Sequence, residues 1–233
     1  MRKLLFEELF KDEKCLNNWR IREGDNWHNG ELQAYRKSQL SFDPLVIKGE
    51  VKKTGSREFV SARLDTFSKF EFKYGLIEVV AKLPKSVGAW PAIWLLATDV
   101  DVVGWPECGE IDIMESVGHK KNEIFFSVHT KQRNFMNKKG FTKTNSYQGI
   151  YSDYHKYSLE WNNNSLKWFF DGSLAFEVNK NSFLEEDWVF DKNYYLILNM
   201  AIGGNFTENK LNIEDFPAKF KVKSVRVWGL DEN

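Results

Sequence analysis

Apolar and polar residues alternate along this chain mostly with a period of two, in short pieces separated by turn residues. Such alternation marks residues 71–83, 157–161, 166–170 and 220–228. Runs of this kind, bounded by Gly, Asn and Asp, predict half-buried β-strands, and their number predicts a sandwich or barrel. Asp171-Gly172, between the aromatic run 166–170 and the alternating run 174–178, is a strong hairpin signal. Two continuous apolar runs, 92–96 and 194–202, predict strands buried on both faces. Long amphipathic helices, internal repeats and low-complexity linkers are missing, and Asn162-Asn-Asn reads as a short turn. The stretch 131–149 is polar, rich in Lys and Asn and without clear period, which predicts a long surface loop. The expectation is one antiparallel all-β domain over residues 1–233, with two packed sheets preferred.

Composition changes this picture in one respect. Hydrophobic (42%) and charged (28%) fractions are ordinary for a globular protein, but aromatic residues reach 15%, with 19 Phe and 9 Trp. Indole faces suit stacking on the apolar faces of sugar rings, although aromatics also pack well in sheets. Lys+Arg and Asp+Glu both number 33. Zero net charge argues against a nucleic-acid surface and against an anionic membrane partner. No stretch approaches membrane-span length, and the start has only a three-residue apolar run before Glu7, too short for a signal peptide. Cys15 and Cys108 do not make a disulfide framework, and no His/Cys spacing suggests zinc.

The candidate chemistry lies in Glu110-Ile-Asp112-Ile-Met-Glu115. In a strand, Glu110 and Asp112 share one face while Ile111 and Ile113 point into the core. Strict alternation would then expose Met114 and bury Glu115. One β-bulge near Ile113-Met114 resolves the conflict and returns Glu115 to the acidic face. Two Glu with an Asp between them on one face are the apparatus of a retaining glycosidase, whose nucleophile and acid/base carboxyls stand roughly 5–5.5 Å apart. Crowded carboxyls cannot all ionise, so at least one keeps its proton near neutrality. On this reading Glu110 is the nucleophile, Asp112 orients it and Glu115 is the general acid/base. The spacing by itself also fits a solvated edge strand with alternating charges.

The flanking residues are Ser61-Ala-Arg63, Trp90-Pro-Ala-Ile-Trp94, Gly104-Trp105-Pro-Glu-Cys-Gly ahead of Glu110, and Leu198-Asn199-Met-Ala-Ile-Gly203-Gly204-Asn205. In order and wording they closely resemble the family 16 glycoside hydrolases, specifically laminarinase-like endo-β-1,3-glucanases, from about Asn29 to Trp228. Met114 matches the bulged form of that family's signature. The resemblance implies a concanavalin-like β-jelly-roll with a concave cleft, a double-displacement mechanism and a β-glucan partner, with the chain acting as a monomer. It places Glu110, Asp112 and Glu115 in the three catalytic roles. It also places Trp90, Trp94, Trp105, Arg63, Asn29, Glu31, His129 and Asn199 in or beside the cleft. Trp94, in an apolar run, also suits the core, Arg63 a structural ion pair, and His129 a satisfied core position.

Two departures stand out. Many relatives bind a structural calcium through positions that here correspond to Leu9, Pro44 and Lys223. A hard cation needs oxygens and an ammonium repels it, so no calcium and no other cofactor is expected, with Lys223 placed to supply positive charge there. Relatives are mostly secreted, yet no leader precedes the match. Rival readings are a carbohydrate-binding lectin on the same sandwich, another polysaccharide specificity within the family (agarose, porphyran, carrageenan or mixed-linkage glucan), and transglycosylation.

Overall fold

The computed structural model describes residues 2–230. Two sheets face each other across one apolar core. The larger follows the order Ser173–Asn179, Ser165–Phe170, His155–Trp161, Gly75–Lys82, Ala218–Trp228, Leu45–Thr54, Arg57–Ser61 and Gln33–Tyr35, with Leu4–Glu8 pairing to Ala218–Trp228. The other follows the order Phe141–Ser146, Glu123–His129, Glu110–Glu115, Ala89–Ala97, Tyr194–Ile202, Arg63–Asp65 and Arg20–Ile21. Pairing is antiparallel except between Gln33–Tyr35 and Arg57–Ser61, which run parallel.

The alternation in the sequence maps directly onto burial. In Gly75–Lys82 every second residue is buried, and its inward Ile77, Val79 and Ala81 meet the other sheet's apolar side chains. Asp171 and Gly172 adopt left-handed φ of 48° and 83° and close the hairpin between Ser165–Phe170 and Ser173–Asn179. Paired positive φ values suit the twist of a two-residue hairpin. Tyr194–Ile202 is buried throughout, as its continuous apolar run requires. Among the described residues the one α-helix is the single turn Val100–Val103.

The polar stretch 131–149 departs from expectation. Its second half forms the strand Phe141–Ser146, which pairs with Glu123–His129 at the edge of the smaller sheet. As an edge strand it has no apolar face to repeat, so its hydrophobic pattern is too weak to read. Ladder hydrogen bonds and the contact between Ser127 Oγ and Thr142 Oγ1, 2.9 Å, hold it instead.

At the far corner, Val222 pairs with Leu45 and Glu8 with Val225, which brings Leu9, Pro44 and Lys223 close together. Lys223 lies at a register shift, and its ammonium stands 5.9 Å from the Tyr154 ring centre. The buried carboxylate at this corner is that of Glu8. Its Oε1 accepts from the amides of Leu9 and Phe10, and its Oε2 from Asn18.

Candidate active site

The acidic run forms the strand Glu110–Glu115, third in the smaller sheet. On one side Asp112 pairs with Trp94 and Met114 with Ile93; on the other, Asp112 pairs with Ser127 and Glu115 with Phe125. Both ladders therefore carry one extra residue between Asp112 and Glu115, the bulge that the conflict at Met114 demanded. Ile113 and Met114 are both 0% exposed, while Glu115 returns to the open face with Glu110 and Asp112. Where the ladder is interrupted, the Asp112 carbonyl accepts the Trp168 indole N–H from the opposite sheet at 2.8 Å. A buried carbonyl without a ladder partner needs such a donor, so Trp168 stabilises the bulge.

Each terminal carboxyl of the run has its own tryptophan. Trp90 Nε1 donates to Glu115 Oε1 at 2.8 Å, and Trp105 Nε1 donates to Glu110 Oε2 at 2.9 Å. These bonds fix the two carboxyls and leave indole faces beside them. His129 Nε2 lies 3.2 Å from Asp112 Oδ2 and 3.9 Å from Glu110 Oε1. The ligand atoms of Glu110, Asp112 and His129 all fall within 4.8 Å of one another.

Crowding and burial set the protonation. Burial, then the charge of Asp112, push Glu110 up to about 8, against the pull of His129 and Trp105. Burial lifts Asp112 to about 7. Glu115 rises well above the usual carboxyl range through burial, then Asp112, and to a lesser degree Glu110. The mutual hydrogen bond of Glu110 and Asp112 favours the proton on Glu110 and the charge on Asp112. Near neutrality the cluster thus carries little negative charge. What there is sits on the Glu110–Asp112 pair, and Glu115 keeps its proton.

A second network flanks the carboxyls. Trp94 Nε1 donates to Asn199 Oδ1 (2.7 Å), Asn199 Nδ2 to the Tyr35 hydroxyl (3.0 Å), and that hydroxyl to Glu31 Oε2 (3.2 Å). Gln33 Nε2 also donates to Glu31, at 2.7 Å. Glu31 is raised by burial, opposed by Gln33, Arg63 and Tyr35. The Arg63 guanidinium lies over both Trp94 and Trp27, 4.9 and 5.1 Å from their ring centres. Trp94 is therefore neither simple core nor a bare platform: its edge is bonded and one face is covered. Asn29 enters through its backbone, with a left-handed φ of 61° and a carbonyl that accepts the Asn205 amide at 2.8 Å.

Sequence reasoning missed several neighbours. Phe206 packs edge-on against Trp90 (5.1 Å) and against Phe125 (5.0 Å). Tyr35 and Gln33 are buried links whose role depends on strands far away in the chain. Phe135 stands over Trp105 and His129 from within the presumed loop. The one available signal was an isolated aromatic within a polar stretch.

The model of glycosyl hydrolases family 16 matches residues 25–212. The chain belongs to that family. It is 35% identical over 221 residues to the β-glucanase of Rhodothermus marinus, a match covering 88% of this chain and 76% of that one. Identity to glucan endo-1,3-β-glucosidase A1 of Niallia circulans is 30%, over 87% of this chain but 33% of that protein, about a third of its length. The solved structure of the Rhodothermus marinus laminarinase superposes with a TM-score of 0.95 at 31% identity, covering 100% of this chain and 99% of that one. The family 16 chain is thus a glycoside hydrolase on a β-jelly-roll sandwich, and the bulged acidic strand lies on the open face of its smaller sheet.

Proposed function

We propose that this family 16 enzyme cleaves internal β-1,3 linkages of glucan, including mixed β-1,3/1,4-glucan, with retention of configuration. The observation that carries the reading is the bulged strand, which puts Glu110, Asp112 and Glu115 on one face with an indole N–H on each terminal carboxyl. In the first step the Glu110 carboxylate attacks the anomeric carbon as the glycosidic bond breaks, and Glu115 gives its proton to the departing oxygen. In the second, Glu115 takes a proton from water, whose oxygen attacks the anomeric carbon and releases Glu110. Glu115 fits the acid because burial and the neighbouring charge keep it protonated. Asp112 takes the proton it shares with Glu110, which frees the nucleophile, and His129 Nε2, 3.2 Å from Asp112 Oδ2, positions that carboxyl. We take the enzyme to act as a monomer.

No metal enters these steps. The family's calcium does not fit the corner of Leu9, Pro44 and Lys223: Leu9 and Lys223 offer no side-chain oxygen, Lys223 brings an ammonium, and the nearby Glu8 oxygens already hold protein donors. The proposal is that this site binds no calcium.

The test is digestion of laminarin, lichenan, agarose and carrageenan with NMR of the first anomer formed. A β-anomer from laminarin is expected. An α-anomer would remove Glu110 from the nucleophile role, and binding of laminarin without any product would replace hydrolysis by a lectin function.

A further inference from the structure

We infer that Phe135 extends the glucan site beyond Trp105 as a second stacking ring on the Glu110 side of the cleft. The inference rests on the function proposed above. Phe135 is 53% exposed, although it touches two site residues. Its ring centre lies 5.3 Å from that of Trp105, tilted by 34°, and 5.9 Å from that of His129. Trp105 is itself bonded to Glu110. The three rings are thus in mutual contact, and Trp105 and Phe135 make an aromatic path from the nucleophile Glu110 to the half-exposed edge of the site.

The loop holds this ring out deliberately in structural terms. Asn134 Oδ1 accepts the amides of Met136 and Asn137, while Asn137 Oδ1 accepts those of Asn134 and Lys139. Asn134 Nδ2 reaches back to the carbonyls of Thr130 and Lys131. The two asparagines bracket Phe135 and satisfy the loop backbone, so the exposed ring is pre-organised and loses little freedom when a ligand arrives. A half-exposed aromatic that continues a binding cleft is suited to a partner with one apolar face and a polar rim. A β-linked glucose unit has that form.

The experiment compares Phe135→Ala, Phe135→Leu and Phe135→Tyr with the wild type, measuring kcat and KM on laminarin and on laminari-oligosaccharides of increasing length. Leucine keeps apolar cover over His129 but offers no flat ring, which separates stacking from mere shielding. The expected result is a KM about tenfold higher for both Ala and Leu, recovery with Tyr, and a loss seen in KM rather than kcat. The loss should vanish on oligosaccharides too short to reach the ring. A wild-type KM in Phe135→Leu, or a loss confined to kcat, would overturn the inference. Should the wild type not cleave laminarin at all, titration of tryptophan fluorescence with laminari-oligosaccharides tests the ring directly. Equal binding by wild type and Phe135→Leu would then reject it.

Discussion

Replacing Glu110 by Gln should stabilise the enzyme, and only on the alkaline side. Glu110 is half-buried, with its carboxyl raised from 4.5 to about 8. Below the unfolded value both states carry the proton, so glutamate and glutamine are nearly equivalent, each accepting the Trp105 N–H. As pH rises the unfolded chain ionises first, and the folded state loses stability until the folded value is passed. The full difference is about 2.303RT times the shift, on the order of 5 kcal/mol. Glutamine never ionises and does not incur this cost. In a chain of this size each kcal/mol moves Tm by about 2–4 °C. Glu110→Gln should therefore melt about 10 °C or more above wild type at pH 8.5, and within a degree or two of it at pH 4.5. Differential scanning calorimetry across this range checks it. Parallel Tm curves for the two proteins from pH 4.5 to 8.5 would refute a buried, proton-holding carboxyl cluster.

Three further outcomes follow from the same geometry. Trp90→Phe removes the hydrogen bond that lowers Glu115, so the alkaline limb of the kcat/KM profile should move to higher pH; movement to lower pH would contradict the role given to that bond. Trp168→Phe leaves the buried Asp112 carbonyl without its donor and should cost about 1–3 kcal/mol in urea unfolding, with a fall in kcat as the bulge relaxes. A loss of stability with unchanged kcat would separate Trp168 from the bulge. Added calcium followed by chelator should leave Tm unmoved, and a reversible rise that persists in Lys223→Ala would place an ion at that corner after all.

Much of the fold was legible because period-two alternation is a local property: a strand with one buried face must announce it, as Gly75–Lys82 does. The bulge was legible for the same reason, since Met114 and Glu115 could not both obey the alternation set by Ile111 and Ile113. The edge strand Phe141–Ser146 was not, because a strand with little to bury leaves little pattern.

By itself, then, the sequence determined the strand periodicity, the hairpin at Asp171-Gly172 and the facing of three acids with one residue in excess. Only the tertiary structure decided which tryptophan serves which carboxyl, that Trp94 joins Asn199 from 105 positions away, and that Phe135 and Phe206 stand beside the site. It also decided which acid keeps its proton. Period two assigns a side chain to a face but does not choose the distant strand lying next to it. A carboxyl's affinity for its proton depends on how much water and charge that packing leaves around it.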